Sequence, residues 1–295
     1  MSLPLAAVPN FSEGRSEETI GALGVALGAH VRVVDVHSDV DHNRSVFTIA
    51  GRAAALLDAL VGGIACARER IDLRRHEGVH PRVGVADVVP LVAVWPEQME
   101  EAKHAALELA GRVGDELGLP VFLYGKLAAD VRPAMLRRGG PQELRRRLEA
   151  GKLKPDFGPG RLDLASGCVL VGARRPLIAF NVNLETVELA VAQAIAAVVR
   201  ETDGGFPGVR ALGFPLASRG LVQVSMNIED WEAAPLDEIV ARIDAEAAAR
   251  GVTVVGSELV GLMPAGAAEA GPGALRLDSL DESRLLEPRL SKLAM

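Results

Sequence analysis

The chain has 295 residues, 49% of them hydrophobic and only 3% aromatic, with 32 basic against 39 acidic side chains and a net charge of -7. That apolar content excludes disorder throughout and supports one large or two modest packed domains. The acidic balance and the scarcity of rings, with Tyr124 the sole tyrosine and Trp95 and Trp231 the two tryptophans, argue against binding to a phosphate backbone or stacking on bases, so a small-molecule partner and no nucleic acid is expected.

No apolar run approaches the roughly 20 residues needed to cross a bilayer, and the N-terminus lacks a basic region followed by a long apolar run. No membrane partner and a cytoplasmic location are therefore expected. Cys66 and Cys168 lie far apart in apolar surroundings and are expected as reduced thiols.

In chain order, short apolar segments suited to strands alternate with Ala- and Leu-rich segments of helical period. Residues 5–8 read as a strand and 16–27 as a helix, and 31–36 and 45–49 as two strands joined by a polar loop. A helix over 53–70 and a strand over 88–94 complete the order β-α-β-β-α-β, followed by a helix over 97–117 and a strand over 121–124. The charged run 137–154 reads as a solvated helix with loose ends, and 156–167 as a long irregular link. The pattern then restarts: strand 177–184, helix 185–201, strands 209–215 and 221–227, helix 236–250, strand 252–259. Two copies of one order give an α+β expectation of two ferredoxin-like sandwich subdomains packed together, with a ligand site between them. The divisions are 1–176 with the link at about 155–170, then 177–268, then a tail at 269–295 with helical character.

The stretch RRHEGVHPRVG at 74–84 is the richest in chemistry. His76, Glu77 and His80 spell H-E-x-x-H, which on a helix would set two imidazoles on one face for zinc. Gly78 and Pro81 oppose that helix, so the expectation is a loop and no metal. Arg75 and Arg82 set a positive field that favours neutral imidazole and attracts anions. His37 and His42 supply no second pair with ligand spacing, and His30 and His104 fall at solvated helix positions.

Other polar residues interrupt the pattern. PNFSEG at 9–14, with Asn10, lies between a strand and a helix, where backbone N–H groups and the helix dipole can receive an anion; ordinary capping fits equally well. Asp39, Asp41, His42, Asn43 and Arg44 crowd a turn beyond what a tight hairpin requires. Glycines in the 156–167 link permit a backbone to approach a flat ligand, although a plain linker explains them too. Asn181 and Asn183 point to one side of a strand and need a ligand or a neighbouring loop to satisfy them, a device that Asn227 repeats.

PNFSEGR at 9–15, DHNRSVFT at 41–48, HEGVHPRVGVADVVP at 76–90, DFGPG at 156–160 and GARRPLIAFNVNL at 172–184 resemble the glutamate formimidoyltransferase family, in the same order over 9–264. In many animals this is the transferase part of a bifunctional formimidoyltransferase-cyclodeaminase. The resemblance implies transfer of the formimidoyl group from N-formimidoyl-L-glutamate to N5 of tetrahydrofolate with release of L-glutamate, in histidine degradation. It implies two ferredoxin-like subdomains with a ligand tunnel for folate between them, a homodimer, and His80 as the catalytic residue. It places folate on Gly158, Pro159, Gly160, Arg161, Leu162, Asp163, Leu164, Ala165, Ser166 and Gly167, and leaves no room for a cyclodeaminase region. The chain departs from vertebrate members at Glu77 (lysine there), Val79 (an acid), His37 (an aspartate) and 162–166, where a tryptophan is lost.

On this reading His80, with an ordinary pKa near ~6.5, accepts the proton of the attacking amine and returns it to the departing nitrogen. Asp39 or Asp87 can face the cationic adduct, Arg44, Arg82 or Lys126 can hold substrate carboxylates, and Asn10, Asn43, Asn181 and Asn183 join them as substrate contacts. Two alternatives share the scaffold: a folate-dependent transferase that moves formyl instead, and a non-catalytic folate-binding protein.

Overall fold

The structure, a computed structural model, describes residues 3–128 and 131–293. Contacts divide the chain into two compact units, one running to Arg175 and the other beginning at Pro176. Each carries its own sheet and its own core, in a mixed α+β arrangement.

The first unit opens with strand β1 (Leu5–Ala7), which Pro9 separates from β2 (Asn10–Phe11). Helix α1 (Glu17–Gly28), strands β3 (Arg32–Asp39) and β4 (Arg44–Gly51), helix α2 (Ala53–Arg70), strand β5 (Ala86–Val92), helix α3 (Met99–Glu116) and strand β6 (Val121–Gly125) follow. Next come α4 (Pro133–Arg137), α5 (Gly140–Glu149) and strand β7 (Val169–Arg174). β4 pairs antiparallel with β3 on one side and with β1 and β2 on the other, and these two pair in turn with β5; β7 then runs parallel between β5 and β6.

Helices α1, α2 and α3 bury Leu23, Leu27, Leu60, Ile64, Leu109 and Val113 against one sheet face, where Phe11 meets Phe47 edge-on at 5.7 Å. On the other face, Val88, Phe122, Tyr124 and Leu170 are covered by Leu136 of α4, Leu144 and Leu148 of α5, and Leu162. The parallel strands are thus buried on both faces, which is why VVPLV and VLVGA are continuous apolar runs. β7 corrects the sequence expectation, which left 169–174 without a strand because an apolar run without alternation carries no period. The 137–154 run is corrected in part: it starts on the last residue of α4 and holds one helix, α5, which is not wholly solvated, since Leu144 and Leu148, four apart, each contribute about 1.5–3 kcal/mol by burial while Arg145 and Arg146 stay outside. At β7, Gly172 lets the Tyr124 ring lie close, since a Cβ there would stand 2.7 Å from that ring.

The second unit runs β8 (Ile178–Leu184), α6 (Leu189–Val199), β9 (Val209–Leu216), β10 (Leu221–Ile228), α7 (Leu236–Ala248) and β11 (Val254–Val260). Its sheet is antiparallel in the order β11-β8-β10-β9. Alternate residues Ile178, Phe180, Val182 and Leu184 face Ile195, Val199, Ile239 and Ile243 of the helices. Beyond it the tail forms α8 (Gly271–Ala274) and α9 (Leu286–Ser291). It is docked: Leu275, Leu286 and Leu290 are buried, and the Arg284 side chain donates to the Leu259 carbonyl at 2.7 Å. The last two residues of the expected tail, 294–295, lie outside the described residues. Among the described residues no helix is long and apolar enough to cross a membrane.

Candidate active site

The crowded turn between β3 and β4 has a structural task. Asp39 Oδ1 accepts from the His42 N–H at 2.7 Å, and Asn43 takes a left-handed backbone conformation (φ 46°) that asparagine tolerates. Asn43 then works in both directions: its Oδ1 accepts from Gly14 N–H at 2.9 Å and its Nδ2 donates to the Glu77 carbonyl at 2.8 Å. Val79 N–H donates to the Asp41 carbonyl at 3.1 Å. A Cβ at Gly78 would stand 2.5 Å from the His42 carbonyl oxygen, so glycine is what lets the 76–82 loop lie against the turn. After a single 3-10 turn at Leu73–Arg75 the loop is irregular, and the H-E-x-x-H helix does not form. Among the described residues no group of three His, Cys, Asp or Glu side chains converges as a metal site.

Arg82 staples the loop to itself. Its Nη2 donates to the Gly78 carbonyl at 2.7 Å and the His80 carbonyl at 2.5 Å, and its Nη1 to His76 Nδ1. His76 Nε2 in turn donates to the Asn43 carbonyl at 2.9 Å, which fixes a neutral ring protonated on Nε2. Burial and then the Arg82 charge hold the His76 pKa below its ordinary value.

His80 receives a hydrogen bond on Nε2 from Arg44 Nη1 at 3.0 Å, so a neutral ring carries its proton on Nδ1. The side chain retains some surface yet is packed among protein atoms, with the His42 ring centroid 6.0 Å away. Burial first, then the charges of Arg44 and Arg137, hold its pKa well below 6.5. Arg44 itself is lowered to about 10, chiefly by burial and then by Arg137, and stays charged at neutral pH.

Asp87, at the start of β5, is buried and accepts twice: from Val83 N–H at 2.8 Å and from Arg137 Nη2 at 2.5 Å. Burial raises the Tyr124 hydroxyl and the Cys168 thiol above their ordinary pKa values. Cys66 and Cys168 are both free.

The 158–167 segment is sewn to the same loop. Val85 N–H donates to the Ser166 carbonyl at 2.9 Å, Cys168 N–H to the Val83 carbonyl at 2.9 Å, and Leu73 N–H to the Ala165 carbonyl at 2.9 Å. Asp163 turns the segment, accepting from the Ala165 N–H at 3.1 Å and the Ser166 hydroxyl at 3.3 Å. Gly167 (φ 71°) abuts Gly84, where a Cβ would stand 1.8 Å from the Cys168 carbonyl oxygen. Gly158 (φ 77°), Gly160, Arg161 and Asp163 are exposed; Leu162 and Ser166 are buried, and Pro159 and Leu164 are half-buried.

The structure thus gathers His80, Arg44, Asn43, Arg82, Asp87 and the 163–167 segment at one end of the first sheet. Other candidates fall elsewhere. Asn10 spends its amide on the Val8 carbonyl at 2.7 Å. Lys126 is exposed just beyond β6, five register steps and about 16 Å along the parallel strands from Asp87. Asn181 and Asn183 belong to the second unit, where Asn181 donates to Glu258 at 3.3 Å and Asn183 accepts from Gln223 at 2.9 Å; neighbouring strands, not a loop, partner them. The helix α1 terminus is capped internally, with Ser16 accepting from Thr19 N–H and Glu13 from the N–H groups of Arg15 and Ser16. Sequence reasoning missed Arg137 altogether. Of the apolar residues before it only Leu136 is buried, Ala134 and Met135 being exposed, so no local signal marked it.

An α+β chain with a neutral, cation-ringed histidine beside a glycine-punctuated segment is the class that fold and site define. The description of the formiminotransferase domain's N-terminal subdomain matches residues 4–174, and that of the formiminotransferase domain matches 179–271. The chain belongs to the formiminotransferase family. It is 38% identical to glutamate formimidoyltransferase of Thermoplasma acidophilum over 97% of both chains, and 37% identical to that of Streptococcus pyogenes serotype M1 over 88% of both. It is 39% identical to the formimidoyltransferase-cyclodeaminase of Gallus gallus over 87% of this chain but 49% of that protein, and so spans about half the length of that relative.

Proposed function

We propose that this chain is a glutamate formimidoyltransferase, moving the formimidoyl group of N-formimidoyl-L-glutamate to N5 of tetrahydrofolate, and that His80 is its proton-transfer group. The observation that carries the role of His80 is its environment. A ring held neutral by burial and by neighbouring arginines is in the deprotonated state from which a general base starts, and substrate takes the place of Arg44 at Nε2 for that nitrogen to accept the proton. N5 attacks the formimidoyl carbon, His80 takes the proton that N5 loses, and the carbon–nitrogen bond to glutamate breaks as His80 returns that proton to the departing nitrogen. One imidazole serves both halves, and no proton is left over. Acid–base assistance supplies about 10²- to 10⁴-fold, so positioning of the two substrates supplies much of the rest.

Residues 158–167 are the proposed folate segment: its exposed glycines allow close backbone approach to a flat pterin, while its buried members Leu162 and Ser166 fix the segment to the histidine loop. Arg44 is the proposed carboxylate ligand. Arg82, with its donors turned into its own loop, is better suited to shaping that loop. The strand order β11-β8-β10-β9 in a β-α-β-β-α-β unit supports a ferredoxin-like reading of the second unit, and β3-β4-β1/β2-β5 repeats that order in the first. Residues 1–176, 177–268 and 269–295 stand as the proposed subdomains and tail, and a homodimer as the proposed assembly, on the family resemblance.

The test mixes the chain with tetrahydrofolate and N-formimidoyl-L-glutamate and follows L-glutamate release together with the absorbance of the new folate. Both must rise in step. N-formyl-L-glutamate in the same assay is expected to release little glutamate, and faster turnover with it would favour a formyltransferase instead.

A further inference from the structure

Arg137 is a buried cation that the mechanism above does not use. It closes α4, and its Nη2 meets Asp87 Oδ2 at 2.5 Å, while Asp87 Oδ1 holds the Val83 N–H at the end of the histidine loop. One carboxylate therefore ties α4 both to β5 and to that loop. The tie does not satisfy the guanidinium. Arg137 Nε is buried with no acceptor among the described residues, and so is Nε of Arg44, whose Nη1 is turned to His80. A buried N–H without an acceptor loses its water and gains nothing in return, so such atoms are rare in proteins unless a water or a ligand completes them.

The charge balance points the same way. Arg44 and Arg137 depress the basicity of His80, and Arg137 that of Arg44, so the two guanidinium groups act on one small region. Asp87 neutralises one of them. An anion with two oxygens, matched to the planar donor edges of guanidinium groups, suits the rest.

Which carboxylate comes there follows from the chemistry of the reacting centre. In the donor, the α-carboxylate is separated from the leaving nitrogen by a single carbon, so an imidazole that protonates that nitrogen has the α-carboxylate beside it. The carboxylates of a folate tail lie beyond the whole aminobenzoyl group from N5. We propose that Arg44 and Arg137 together seat the α-carboxylate of the amino-acid donor beside His80, with Arg137 as the residue that selects for it. This rests on the transfer reading of the site and adds to it a specificity determinant from α4.

The experiment measures dissociation constants by calorimetry for N-formimidoyl-L-glutamate, its α-amide and its γ-amide on the full chain, with transfer to tetrahydrofolate assayed in parallel. The wild-type chain is expected to bind the diacid at least about tenfold more tightly than the α-amide, the range of a charge-assisted hydrogen bond. In Arg137→Gln that discrimination collapses to within about twofold, whereas Arg137→Lys, which keeps the charge but not the planar fork, retains part of it. Because Arg137→Gln leaves Asp87 buried without its cation, the double variant Arg137→Gln/Asp87→Asn is measured as well, and the same collapse is expected. Equal loss of affinity for diacid and α-amide, discrimination that survives the substitution, or discrimination only against the γ-amide would each overturn the proposal. Wild-type chain that discriminates against the α-amide but transfers nothing to tetrahydrofolate would sink the transferase reading and leave the carboxylate seat standing. The reverse pattern would sink the seat alone.

Discussion

In the second unit three amide side chains of the sheet find partners within it: Gln223 donates to Asn183, and Asn181 to Glu258 on the next strand. These are mostly neutral amides closed into cross-strand pairs. The first unit places charges instead of amides at the end of its sheet, and it leaves them only partly answered. His80 is kept neutral, Arg44 and Arg137 hold buried N–H groups without acceptors among the described residues, and Asp87 bridges loop, strand and helix. The contrast separates polar groups that stabilise a sheet from polar groups held ready for something else. The first kind is satisfied by its neighbours; the second stays poised at a cost in stability.

The sharpest way to break that comparison is to remove the imidazole. His80→Ala is expected to lower transfer by about 10²- to 10⁴-fold while folate binding and the far-ultraviolet circular dichroism stay as in the wild type. Turnover within a few-fold of normal would move the chemistry elsewhere.

Next in size is the buried ion pair. Asp87→Ala leaves Arg137 uncompensated and frees the Val83 N–H, and urea denaturation should register a loss of about 3–5 kcal/mol. Asp87→Asn keeps an acceptor and should lose less. Equal stability of wild type and Asp87→Ala would mean that α4 is not tied down at this point.

The second unit should respond more mildly. Gln223→Ala removes a donor to Asn183 from a fully buried position, and a destabilisation of about 1–3 kcal/mol in the same titration is expected. A larger loss than at Asp87 would reverse the ranking of the two regions.

Acid stability gives the smallest and most specific signal. His76 and His80 both have folded pKa values below 6.5, so in acid the unfolded chain binds more protons than the folded one. Stability therefore rises with pH through the window between those lowered values and 6.5, and falls as pH drops through it, by less than about 1.4 kcal/mol per pH unit for each ring. Urea midpoints measured across that window should flatten in His76→Gln/His80→Gln. For the same reason the acid limb of kcat/KM should lie below pH 6.5, and a limb above it would contradict a His80 held neutral.

Much of this molecule was legible before any coordinates. Helix α2 at Ala53–Arg70 matched its period to the residue, because an Ala- and Leu-rich amphipathic run leaves little choice of boundary. The histidine loop was legible as a loop, since Gly78 and Pro81 each oppose a helix locally. β7 was not, because a strand buried on both faces shows no alternation, and its register depends on β5 and β6 far away in the chain. Arg137 was not either: in a charged run, nothing local separates an arginine that turns inward from those that stay in water.

The sequence by itself determined the local elements, the two repeated orders of them, the loop at His80 and the family motifs around it, because propensity, period and turn chemistry act over a few residues. Only the tertiary structure decided that Arg44 bonds to the His80 ring, that Asp87 answers Arg137 fifty residues away, and that 163–167 is stitched to Val83 and Val85. Burial and charge proximity set those outcomes, and both are properties of the folded packing rather than of any stretch of chain.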